Sequence, residues 1–119
     1  MDTSNPKISV EYLNDTVVIT LTDERILEDI DIKALEESLL PLVDQNSGSK
    51  FILDFSNVGF LSSSVLGLLI RTSKKIYEDN GELVLCCISK KIYEIFRITR
   101  LDKVFDIRKT LDEALDNDQ

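Results

Sequence analysis

Residues 8–13, Ile-Ser-Val-Glu-Tyr-Leu, alternate apolar and polar side chains with the two-residue period of a half-buried strand. Asn14-Asp15 is a turn signal, and Val17-Val-Ile-Thr-Leu21 reads as the second strand of a hairpin. A charged connector over residues 22–28 follows. The apolar period then lengthens: Ile30, Ala34, Leu35, Leu39, Leu42 and Val43 form one stripe of an amphipathic helix opened by Asp29 or Asp31. Pro41 has no N–H to give to that helix and is expected to end or kink it near Leu40. Gln45-Asn-Ser-Gly-Ser49 is a loop.

A second group of elements begins at Phe51-Ile-Leu-Asp54, a short apolar run with the length of a buried strand. The turn-rich connector Ser56-Asn-Val-Gly59 leads to three consecutive serines, Ser62, Ser63 and Ser64. Directly after them, Val65, Leu68, Leu69, Thr72 and Ile76 mark a helix that stops near Asp79-Asn80-Gly81, where asparagine and glycine suit a C-terminal cap. Residues 82–88 are almost continuously apolar, as in strands covered on both faces. Ser89 caps a short helix with Ile92, Tyr93, Ile95 and Phe96 on its apolar side. Residues 104–107 form a last strand, and Thr110 caps a final helix burying Leu111, Ala114 and Leu115. Strands alternating with helices need crossover connections. The predicted class is therefore α/β: one domain with a mixed, mostly parallel sheet of about five strands, an N-terminal β-hairpin and about four helices. Its core covers residues 8–115, with 1–6 and 116–119 frayed.

Composition narrows the function. The chain has 119 residues, 43% hydrophobic and 30% charged, which suits a folded globular domain. A net charge of −8 argues against a nucleic-acid partner, because phosphate contacts need clustered Lys and Arg. Residues 90–109 nevertheless carry seven basic against three acidic side chains, a local excess of +4 that leaves −12 on the remainder. A solvated helix face explains that excess, with a partner contact as the alternative. The apolar stretch from Val65 to Ile70 is interrupted by Gly67 and too short for a bilayer, and the first residues show no basic-then-apolar leader. A cytoplasmic chain with no membrane contact is expected.

The residue inventory removes most catalytic chemistry. There is no histidine, hence no common general base for a serine nucleophile such as Ser63, and there is neither a G-x-x-x-x-G-K-[ST] nor a G-x-G-x-x-G loop. Cys86 and Cys87 are adjacent and form no C-x-x-C. As neighbours in a strand they are expected to point to opposite faces, unbridged, as small packing residues without metal or cofactor. Asp54 closes its strand at the C-terminal end, where α/β proteins place working groups; the plainer role is a hydrogen bond to the connector that follows. The three serines have two readings: caps for the free N–H groups of the helix start, or a hydroxyl modified where the helix dipole favours negative charge. Gly67 lets the helix approach the sheet.

The run Leu53-Asp54-Phe55-Ser56, Val58, Phe60-Leu61-Ser62-Ser63-Ser64-Val65-Leu66-Gly67 resembles the signature of STAS domains, more narrowly that of bacterial anti-sigma-factor antagonists. Agreement extends through Asn80-Gly81-Glu82-Leu83, residues 92–96, Leu101, Val104-Phe105 and Ala114-Leu115, so it spans nearly the whole chain. The resemblance implies a non-catalytic domain. It binds an anti-sigma factor that is also a serine kinase, lets go when one serine is phosphorylated, and is reset by a phosphatase. By position that serine is Ser63, with Ser62 and Ser64 as lesser candidates. Ser62 stands where the family usually has aspartate, and Val65 where it usually has glycine. Ser62, Ser64, Val65, Leu66 and Glu28 are the partner-contact candidates the resemblance implies, with Asp54 and Gly67 as structural support. A family member that is never phosphorylated and serves as a scaffold or subunit of a larger assembly is the alternative, and a weak nucleotide-binding protein is a third reading.

Overall fold

A computed structural model describes residues 7–116. The fraying expected of residues 1–6 and 117–119 lies outside that range. The hairpin forms as expected: β1 (Ile8–Leu13) pairs antiparallel with β2 (Thr16–Leu21), closing so that Leu13 faces Thr16. Asn14 takes a φ of 57° in the turn, a conformation asparagine tolerates better than most residues. After the two-residue β3 (Arg25–Ile26), the chain enters α1 (Asp29–Gln45), crosses to β4 (Lys50–Asp54), passes β5 (Phe60–Leu61) and continues as α2 (Ser63–Glu78). Then come β6 (Glu82–Cys86), α3 (Lys90–Ile98), a single 3-10 turn (Leu101–Lys103), β7 (Asp106–Arg108) and α4 (Leu111–Leu115).

The five-stranded sheet has the order β1-β2-β4-β6-β7, with every pair after the hairpin parallel. Alternate strand residues serve different layers. Val17, Ile19, Leu21, Phe51, Leu53, Leu83 and Leu85 meet Leu35, Leu39 and Val43 of α1, Val65, Leu68, Leu69 and Ile76 of α2, and Phe96 of α3 in one continuous core. Val18, Ile52, Val84 and Cys86 face the other way and are covered by Ala114, Leu111 and Leu115 of α4. Phe96 holds Phe55 and Phe105 edge-on, with ring centroids 6.4 and 6.0 Å away.

Four expectations are corrected. Pro41 does not end α1, which runs on to Gln45. Pro41 and Glu37, whose carbonyl loses its N–H partner, are both on the exposed face, where water can serve that oxygen. The helix is entered from Glu28 rather than Asp29 or Asp31; the Glu28 N–H donates to Asp31 Oδ2 at 3.2 Å. Ile30 belongs to no buried stripe: it is 74% exposed. Finally, the last strand begins two residues later than expected, because residues 101–103 form the 3-10 turn and leave Val104 exposed. The C-terminal end of α2 follows its sequence signal closely. Asn80 at φ 67° gives its N–H to Tyr77, and the Gly81 N–H reaches back to the Ile76 carbonyl at 2.9 Å.

Candidate functional site

The connector between β4 and α2 is tied down residue by residue. Asp54 Oδ1 accepts from the Ser56 N–H at 2.8 Å, which is the plainer of its two expected roles. Phe55 N–H donates to the Cys86 carbonyl, and Val58 N–H to that of Phe55. Asn57 Nδ2 donates to the Leu21 carbonyl at 3.2 Å. Next, the N–H groups of Gly59 and Phe60 share the carbonyl of Glu24, and β5 pairs parallel with β3, Arg25 opposite Phe60 and Ile26 opposite Leu61. This two-stranded piece escaped the sequence reading. It sets the segment after β2, Glu28 included, beside the serines.

The three serines are not equivalent. Ser62 is the N-cap of α2, yet its hydroxyl makes no capping bond; its Oγ is buried without a hydrogen-bond partner among the described residues. The capping role expected of it is thus corrected. Ser63 and Ser64 occupy the first turn and are exposed. No acidic side chain occupies that turn, at the positive end of a 16-residue helix. Nearby on β5, the Phe60 ring lies between two cations: Arg25 Cζ is 4.5 Å and Lys91 Nζ 3.9 Å from its centroid.

Val65 and Leu66, expected at a partner surface, are 0% and 4% exposed and belong to the core. α2 packs against both α1 and the sheet, so its buried arc is wider than one stripe. The valine that replaces the family's usual glycine therefore fills the interior. Gly67 is half-buried, and a Cβ there would meet only Arg71 Nη1 at 3.8 Å, so the close approach expected of it is not what the position requires. Exposed apolar side chains occur instead at Leu27 and Ile30 after β3, and at Ile70 on α2. Glu28 is exposed between the first two. Within the basic excess of residues 90–109, Lys90, Lys91, Arg108 and Lys109 line an open groove with Ile88, Tyr93, Glu94 and Ile107, and two of the cations are paired: Arg97 with Glu94 and Arg108 with Asp106, both at 2.6 Å.

The sequence model of the STAS domain matches residues 7–114. The chain belongs to the STAS domain family. Its STAS fold is shared, at a TM-score of 0.83 and 28% identity over 91% of this chain and 94% of the other, by an anti-sigma-factor antagonist (STAS) domain protein from Planctomyces limnophilus. An anti-sigma-B factor antagonist of Bacillus subtilis is 32% identical over 73 residues, 61% of this chain and 65% of that protein. The Bacillus cell fate determinant SpoIIAA in its phosphorylated form shares the fold at a TM-score of 0.67 and 20% identity, over 91% and 96% of the two chains. Within this STAS domain, no described helix is long and apolar enough to cross a membrane. The site sits where the C-terminal ends of the parallel strands open, the edge at which α/β sheets carry their working groups.

Proposed function

We propose that this STAS domain is a non-catalytic anti-sigma-factor antagonist of the cytoplasm, controlled by phosphorylation of Ser63. Unmodified, it holds an anti-sigma factor that also acts as its serine kinase; phosphorylated, it releases that partner, and a phosphatase restores it. The observation that carries this reading is the exposure of Ser63 and Ser64 at a helix N-terminus with no acidic side chain in its first turn, on a helix whose next turn is locked in the core. The names borne by its relatives support the same assignment. A phosphate adds about −1.5 to −2 charges. At this helix start such charge is favourable by about 0.3–1 kcal/mol, whereas like charge placed across an interface costs several. Modification would therefore change binding far more than folding. The exposed surface around the serine, Leu27, Glu28, Ile30 and Ser64, is the proposed contact, in place of Val65 and Leu66.

The test is to incubate the protein with its cognate kinase and ATP and map the phosphate by mass spectrometry. A single phosphate on Ser63, abolished by Ser63→Ala, is expected. Ser63→Glu should bind the anti-sigma factor at least about tenfold more weakly, a loss of about 1.4 kcal/mol, with an unchanged circular dichroism spectrum. A phosphate on none of the three serines would sink the phospho-switch and leave the constitutive scaffold.

A further inference from the structure

Away from the serines, on the α4 side of the sheet, Asp54, Cys86 and Cys87 meet at the C-terminal ends of β4 and β6. Asp54 stands opposite Cys86 in the strand register. Residues 52 and 84 precede them on the same face, under α4. Cys87 lies one residue past the end of β6, at a φ of 63°. The strand alternation that would send the two thiols to opposite faces no longer applies, and the expectation that they point apart is corrected. Their sulfurs are 3.4 Å from one another, and one carboxylate oxygen of Asp54 lies within 4.8 Å of both. Leu111, at the start of α4, and Cys87 both pack against the buried cluster on this face.

These distances discriminate between two fates of a cysteine pair. A disulfide needs about 2.05 Å between sulfurs, which would require a further approach of more than 1 Å. Two thiolates on one tetrahedral zinc, each with a bond of about 2.3 Å, stand about 3.8 Å apart, and a carboxylate oxygen at about 2.1 Å stands about 3.6 Å from each sulfur. The sulfurs need to part by only a few tenths of an ångström, and the carboxylate oxygen, within 4.8 Å of both, needs to close by no more than about 1.2 Å. Asp54 and Cys86 are 8% and 0% exposed, so two of the three donors are already desolvated and held by the sheet. Cys87 is half-buried and gives the route in. The third ligand comes from a strand 32 residues away in sequence, so no cysteine-spacing pattern along the chain could announce the site.

We propose that Asp54, Cys86 and Cys87 form a three-ligand site for a thiophilic divalent cation of the zinc class, with the fourth position open on the Cys87 side. Binding releases the two thiol protons and is compatible with the Asp54–Ser56 hydrogen bond, because a carboxylate has lone pairs for both the Ser56 N–H and an ion. Burial raises the pKa of both thiols, so the metal-free pair is protonated and the ion must displace those protons.

The probe is cobalt(II), titrated into the full chain kept reduced with a phosphine. A saturable near-ultraviolet thiolate-to-cobalt charge-transfer band at one ion per chain is expected, and stoichiometric zinc should bleach it, since zinc binds such sites more tightly. Cys87→Ser should abolish the band, and Asp54→Asn should weaken cobalt binding at least about tenfold. Cys86 is buried and its variants are at risk of misfolding. In the unaltered protein, therefore, zinc must also protect the Cys87 thiol from iodoacetamide. No band below millimolar cobalt, a band that survives Cys87→Ser, or alkylation indifferent to zinc would each overturn the site. So would spontaneous loss of two hydrogens by mass, which would make the pair a disulfide.

Discussion

The Ser62 N–H donates to the carbonyl of Ile26 at 3.0 Å, stitching the start of the serine helix to the strand that follows the hairpin. Through its backbone alone, Ser62 thus joins two segments that are distant in sequence. Its hydroxyl oxygen is buried and has no hydrogen-bond partner among the described residues. An N-cap serine normally loses about 0.5–2 kcal/mol on replacement by alanine. Here, removing an unsatisfied polar atom should leave stability unchanged or slightly raised. Ser62→Ala is expected within about 0.5 kcal/mol of the parent, or above it, in urea unfolding; a loss near 2 kcal/mol would show that the hydroxyl caps after all.

Leu66 and Ile30 exchange the roles their sequence contexts imply. Leu66→Ala removes a core side chain and should cost about 2–5 kcal/mol. Ile30→Ala touches a side chain 74% exposed and should alter stability by less than about 0.5 kcal/mol. Anti-sigma-factor affinity should move the other way, falling for Ile30→Ala with an unchanged melting curve. Equal affinities for Ile30→Ala and the parent would remove Ile30 from the contact surface.

Gly81 is held against another loop. A Cβ there would lie 2.6 Å from the Ser49 carbonyl oxygen and 3.1 Å from that of Ile76, both of them backbone atoms that cannot step aside cheaply. Gly81→Ala should therefore destabilise the domain by about 1–3 kcal/mol, read from the urea midpoint at unchanged slope.

Thiol chemistry gives a pH prediction. Desolvation is the largest cause of the upward shift at both cysteines, and a raised pKa means less thiolate at any given pH. In metal-free, reduced protein, iodoacetamide should modify Cys87 more slowly than a free thiol at pH 8. Its rate should still be climbing at pH 9, past the ordinary cysteine value of about 8.5. A rate that levels off below pH 8 would contradict the shift. Cys86, fully buried, should react only on unfolding.

Long elements with a clear period were legible from the residues. The hairpin, α2 with its buried Val65, Leu68, Leu69, Thr72 and Ile76, and the strand at Leu83 all follow from spacing alone. What spacing could not supply depends on contacts between distant segments. The pairing of Arg25–Ile26 with Phe60–Leu61 is two residues long and has no period to detect. Leu66 is buried because α2 has two neighbours rather than one, a property of packing. The meeting of Cys87 with Asp54 rests on a single positive φ at a non-glycine residue, which residue type does not announce. At the serines, residue type located the helix start, and only the fold divided one buried hydroxyl from two exposed ones.

β4 lies in the middle of the sheet, with β2 and β6 on either side and helices over both faces. Its amides should be among the last to exchange with deuterium, since they open only when the whole domain does. The serine helix follows that strand through eight residues, 55–62, which include β5. A phosphate on Ser63, as proposed, would thus have no soft element behind it to melt or swing. It would stay at the surface as a change of charge and shape, for a partner to read by touch.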